Sequence, residues 1–265
     1  MALNKKSEKF LKALLVTFVS LAFWIGLWAF SAWSVGVPFI LPTPASVFLD
    51  FFSLFRTSEL YLTLLKSLLS LAAGFAAGVL VGVLFAVPSA LSKLFNSLVS
   101  PVFTVIRATP VASFIIIAWV FLNNRILPGF ICLLMTAPIV WRSVSEGIKS
   151  LDRSMYEVTK VYRFGFWKTV RLYLFPLLSP FLSSGLSTSL GLGWKATVAT
   201  EILVHTPDSL GYMIWDAKAW NVNTSMLFAW TLVVIIVSIL LDALIVFAFA
   251  KKSAGTGKER SADRV

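Results

Sequence analysis

Long apolar runs, broken only by short polar or proline-bearing stretches, leave this chain few ways to fold. Of its 265 residues 58% are hydrophobic and only 13% are charged. A soluble domain of this length has no core large enough to hide that much Leu, Val, Ile, Phe and Trp. Several runs reach the roughly 20 residues that cross a ~30 Å hydrocarbon layer. The chain therefore reads as an all-α, polytopic membrane protein with about six transmembrane helices. Their expected limits are about Leu11–Trp33, Tyr61–Val87, Val99–Leu122, Ile126–Ile148, Leu177–Leu203 and Ser225–Ala250. The first has the charged start of a signal peptide but too long an apolar stretch, so a retained anchor is expected. Pro38–Pro44 cannot continue a helix, and a short amphipathic piece is expected at about Ala45–Phe55.

The net charge of +11 falls in clusters beside the apolar runs, so it reads as a topology signal and not as a nucleic-acid surface. One side carries the N-terminal lysines, Lys93, the segment from Lys149 to Arg171 and the C-terminal tail. The other carries Arg56, Lys66, Arg125 and Lys218, partly balanced by Asp50, Glu59, Asp208 and Asp216. The positive-inside rule places both termini in the cytoplasm. The expected organisation is a cytoplasmic segment 1–10, a transmembrane domain 11–250 and a cytoplasmic tail 251–265. Cys132 is the only cysteine, which leaves no disulfide framework and no thiolate metal cluster.

The loop at about 150–176 is a charged island in this hydrocarbon. Leu151, Met155, Val158 and Tyr162 recur at helical spacing, and Ser154-Met155-Tyr156-Glu157 fits a capping box. Gly165 is expected as a left-handed cap between two short helices, the second beginning at Phe166. Lys160, Arg163, Lys168 and Arg171 mark the exposed face. Two readings stay open from this pattern: a basic loop resting on anionic lipid, or a helix seated in a groove of a soluble partner.

Ionisable residues at membrane depth are the other signal, because an unpaired charge there is costly and faces a cavity or a partner. Arg107, followed by Thr109-Pro110, lies early in the third span, and Lys195 and Glu201 lie in the fifth. Six residues apart, Lys195 and Glu201 are not neighbours on one helix face. Arg107, Thr109, Lys195 and Glu201 are the candidates for a pathway, with Arg107 or Lys195 favouring polar or anionic solutes. Structural pairing, or snorkelling to an interface, is the competing reading. Asp242 is expected to pair with a basic neighbour, and His205 to be a solvated loop residue. Small residues repeat every four positions at Gly74, Gly78 and Gly82, and again at Gly185, Ser189 and Gly193. Such stripes suit close helix packing, within one subunit or across a dimer.

The island resembles the cytoplasmic Glu-Ala-Ala loop of permease subunits of bacterial ABC importers. Glu157 takes the Glu position and Pro176 the final Pro, while Val158-Thr159 replace the two Ala, Arg163 replaces the Gly, and Tyr173 and Phe175 replace Ile and Leu. Leu41-Pro42-Thr43-Pro44, the stretch Arg107–Phe114, Pro138-Ile139-Val140-Trp141, Ser145-Glu146-Gly147-Ile148, Gly191–Ala196 and Phe228–Leu232 resemble the nitrate/sulfonate/taurine-type branch of that family. The resemblance implies the type I ABC importer permease fold in a bacterial inner membrane. It also implies a homodimer of permease, a cytoplasmic ABC ATPase dimer and an external substrate-binding protein. The island, Ser154, Met155, Tyr156, Glu157, Val158, Thr159, Lys160, Val161, Arg163, Phe164 and Gly165, with Pro176 beyond it, would then be the ATPase-coupling loop. No phosphate-binding loop is present, since the only Gly-Lys pair, Gly257-Lys258, precedes Glu259. The resemblance thus implies a transport subunit that is not itself an enzyme and holds no cofactor, with ATP-Mg on the partner. A secondary transporter or a non-ABC structural membrane subunit is the alternative. The first would show repeats and interrupted helices about an ion site.

Overall fold

The computed structural model of the chain describes residues 2–150 and 165–262, and every regular element among them is helical. These are α1 (Ala2–Val35), α2 (Pro44–Leu54), α3 (Ser58–Leu91), α4 (Lys93–Ala108), α5 (Val111–Trp119) and α6 (Leu127–Lys149). There follow α7 (Phe166–Thr169), a π-helical turn (Val170–Leu174), α8 (Phe175–Leu203), α9 (Leu210–Ala219) and α10 (Thr224–Ala262). Helices are the economical solution in hydrocarbon because each satisfies its own backbone hydrogen bonds. Among the described residues four segments are long and apolar enough to cross a membrane: Leu14–Val35, Ser58–Leu91, Leu127–Lys149 and Thr224–Leu244. They match the expected first, second, fourth and sixth spans.

The other two expected spans are not among these four. The third is not one helix: α4 and α5 meet at an angle of 100°. Pro110 is the cause, since its ring pushes the residue before it out of helical conformation. Thr109 accordingly has φ −81° and ψ 134°, and α4 ends there. The fifth is one unbroken helix, α8, and its 29 residues exceed what a bilayer requires. Its many Gly, Ser and Thr residues, with Lys195 and Glu201, leave it short of the uniform hydropathy of the other spans.

The chain forms two compact units, one from the residues up to Leu60 with Met213–Val233, the other from Tyr61–Tyr212 with the chain from Val234 onward. In the first, the expected break at Pro38–Pro44 ends in a helix cap. Thr43 accepts a hydrogen bond from the Ser46 amide at 3.3 Å, and Pro44 takes a first-turn position where a missing N–H costs nothing. Trp28 donates its indole N–H to the Pro42 carbonyl at 3.1 Å and stacks on Phe228 with ring centroids 5.9 Å apart.

In the second unit α6 is the hub, and both small-residue stripes pack against it. A Cβ placed on Gly78 would stand 2.7 Å from the Thr136 Cβ, and one on Gly82 2.8 Å from the Ala137 carbonyl oxygen. From the other stripe, Gly185 would meet the Ser143 Cβ at 2.7 Å and Gly193 the Cys132 Sγ at 2.9 Å. Ser189 is fully buried. Both stripes therefore bring α3 and α8 onto α6 of the same chain, which accounts for the four-residue repeat by packing within one subunit.

The capping box Ser154–Glu157, the apolar stripe from Leu151 to Tyr162, and Lys160, Arg163 and Phe164 lie outside the described residues. Gly165 is described and exposed. It opens the following helix: its carbonyl accepts the Thr169 amide at 3.0 Å, so the chain turns helical at once. Pro176 sits in the first turn of α8, where proline is tolerated. Asp242 is exposed on α10 and makes no ion pair among the described residues. A Cβ on Gly191 would lie 3.3 Å from its Oδ1, which sets this carboxylate close to the α8 backbone.

Candidate functional site

The Thr109–Pro110 bend leaves Arg107 in the last turn of α4, facing a cavity of about 650 Å³ bounded by α4, α5, α6 and α8. From α8 the wall is a single helical face, Ser184, Thr188, Leu192, Lys195 and Ala199, at spacings of four, four, three and four. From α6 come Pro138, Ile139, Arg142, Ser143 and Glu146. Two of the four pathway candidates, Arg107 and Lys195, thus meet in one space although 88 residues separate them in sequence.

Its charge is positive. Arg107, Arg142 and Lys195 supply three cations and Glu146 one carboxylate. Arg142 Nε donates to Glu146 Oε1 at 2.7 Å, an i,i+4 pair more than half exposed on both sides. Arg107 and Lys195 are exposed and make no ion pair among the described residues. An anion entering between them would find two cations not already neutralised, along largely apolar walls where such attraction is stronger than in water. Sequence reasoning did not single out Arg142. The available signal was an Arg and a Glu four residues apart on an apolar span, which pair on one face.

The other two candidates lie elsewhere. Thr109 is the hinge residue, its hydroxyl donating to the Val105 carbonyl at 2.8 Å. Glu201 is fully buried near the end of α8 and lines a separate cavity of about 270 Å³ with Lys66, Ser70, Arg125 and Asp208. Its Oε2 accepts from the Ser67 hydroxyl at 2.8 Å and from the Gly211 amide at 3.1 Å. Ser67 in turn accepts the Leu210 amide at 3.0 Å. The carboxyl therefore ties α3, α8 and the start of α9 together.

At the mouth of that second cavity Lys66 Nζ lies 2.6 Å from Asp208 Oδ2. Hydrogen bonding to this ammonium, with its charge, holds the Asp208 carboxyl below the usual carboxylate range. The contribution of the pair is present above that usual range and is lost as pH falls through the lowered value. His205 and Asp208 both have positive φ, 51° and 55°, in the tight turn between α8 and α9. His205 is half-buried there, not fully solvated as expected.

Residues 78–252 match the binding-protein-dependent transport system inner membrane component family, and the chain belongs to that family. It is 27% identical over 244 residues to the putative aliphatic sulfonates transport permease protein SsuC of Bacillus subtilis (strain 168), covering 91% of this chain and 86% of that protein. It is 29% identical over 158 residues to the nitrate import permease protein NrtB of a Synechocystis species, covering 59% of this chain and 56% of the relative. A solved chain of the MetNI methionine ABC transporter shares the fold, with a TM-score of 0.55 at 18% identity over 72% of this chain and 93% of that one. The molecule is an all-α, multi-pass membrane protein with the type I ABC importer permease fold, and an inner-membrane transport component.

Proposed function

We propose that this chain is the permease subunit of an ATP-driven importer for a small polar or anionic solute, and that the 650 Å³ cavity is part of its translocation pathway. The observation that carries this reading is the convergence of Arg107 and Lys195, both without an ion-pair partner among the described residues, on one cavity wall-to-wall with α6. A membrane protein tolerates such charges where they serve a passing ligand. The names of the relatives fit an anion, since SsuC is named for aliphatic sulfonates and NrtB for nitrate.

In this reading an external binding protein delivers the solute and a homodimer of the chain forms the route. Residues 11–250 make up the permease domain, and the segments 1–10 and 251–265 lie in the cytoplasm. The loop at about 150–176, with Glu157 at its head, docks on a separate ATPase, where ATP-Mg is hydrolysed. Helix α8 continues from that loop without a break past Lys195, so a movement of the docked end is carried to the cavity.

The test is ATP-dependent uptake by proteoliposomes holding the permease, its ATPase and its binding protein. Arg107→Ala and Lys195→Ala are each expected to lower uptake about tenfold or more, equivalent to ~1.4 kcal/mol. Co-purification of the ATPase should be unchanged. Uptake at the parental rate in both variants rules the cavity out as the pathway.

A further inference from the structure

We infer that the polar faces of α4 and α6 build a second anion site, beside the larger cavity, that takes a small oxyanion. On α4, Asn96, Ser100, Thr104 and Arg107 follow one another at steps of four, four and three, which puts them on one face. On α6, Arg142, Glu146 and Lys149 do the same at steps of four and three. The two faces enclose a cavity of about 210 Å³, separate from the larger one but sharing Arg107, Arg142 and Glu146 with it.

The floor is aromatic. Trp141 and Phe103 lie tilted against each other with centroids 5.0 Å apart, and the Trp141 indole donates to the Ser89 hydroxyl at 2.9 Å. Above it stand three cations and one carboxylate. Glu146 is taken by Arg142 at 2.7 Å, whereas Arg107 and Lys149 have no ion-pair partner among the described residues. Two cations without an ion-pair partner among the described residues, over an aromatic floor and rimmed by the Asn96 amide and the Ser100 hydroxyl, match a sulfonate, carboxylate or phosphate group. Such a group has two possible sources, a free solute or the head of an anionic lipid. The site does not depend on the larger cavity being the pathway.

The experiment reads local charge and not transport, so its failure is distinct from that of the functional proposal. The full-length chain is placed in lipid nanodiscs with Ser100→Cys or Thr104→Cys as reporter. Cys132 is fully buried, so the parent chain serves as the unlabelled control. Labelling rates are compared for 2-sulfonatoethyl methanethiosulfonate, an anion, and its trimethylammonioethyl counterpart, a cation, each scaled to its rate with a free thiol. The anionic reagent is expected to react faster by roughly tenfold, because a positive cleft raises the local concentration of anions. In the Arg107→Gln, Lys149→Gln double variant the ratio should fall to near one.

Protection of the reporter by added ethanesulfonate in phosphatidylcholine discs identifies a solute site. Protection seen only in phosphatidylglycerol discs identifies a lipid headgroup site. A ratio near or below one at both reporters, or one that the double variant leaves unchanged, overturns the inference.

Discussion

Glu201→Ala is expected to lower the stability of the folded chain by roughly 2–4 kcal/mol, because it strips two buried donors of their acceptor at once. The Ser67 hydroxyl at 2.8 Å and the Gly211 amide at 3.1 Å both end on Oε2. A buried donor left unmade costs more than the bond contributed when made. Hydrogen exchange separates this from a general loosening: the amides of Leu210 and Gly211, tied through Ser67 and Glu201, should exchange faster before the rest of α8 does. Glu201→Gln keeps the acceptor and the shape, so it should cost clearly less. Equal losses in the two variants would show that side-chain volume, and not the hydrogen-bonded tie, is what matters at this position.

The second large effect is expected at Gly74. A Cβ there would overlap the carbonyl oxygen of Gly129 and stand 2.8 Å from the Cys132 Cβ. The first obstacle is backbone of a packed helix and cannot swing aside. Gly74→Val is therefore expected to destabilise by roughly 3 kcal/mol or more, or to prevent assembly in detergent altogether. Thermal unfolding of the purified protein measures the loss. Gly26→Ala is the control, since nothing lies within 4 Å of a Cβ at that position in α1. Replacing glycine by alanine inside an open stretch of helix should cost nothing. If the two substitutions melt together, close packing of α3 on α6 does not limit stability.

Which parts of this architecture could be read from sequence follows from how far each determinant reaches. The break before α2 was legible because the prolines of Pro38–Pro44 act locally, whereas its Thr43 cap was not singled out. The spans at α1, α3, α6 and α10 were legible because continuous hydropathy needs no partner. The bend between α4 and α5 had a local signal as well, the Thr109-Pro110 pair, but the apolar run on either side hid it. Glu201 is different in kind. Its partners Ser67 and Gly211 are 134 and 10 residues away, and nothing in the local pattern separates a carboxylate that ties helices from one that lines a path. Lys195, six residues earlier on the same helix, does face the larger cavity. The two fates were decided by which neighbour each helix face meets.

The abrupt end of α4 also bears on how the chain keeps Arg107 without an ion-pair partner among the described residues. A helix that stops at Ala108 presents its last carbonyl groups, and with them the negative end of its dipole, just where Arg107 sits. A cation in the last turn of a helix is favoured by that field, typically by about 0.3–1 kcal/mol and more where water is scarce. Had residues 93–119 run on as one straight span, these carbonyls would have been consumed by the next turn and the guanidinium would have stood in neutral surroundings. The fracture thus supplies a diffuse counter-charge made of backbone. It steadies the arginine without an ion-pair partner among the described residues that a passing ligand would have to displace.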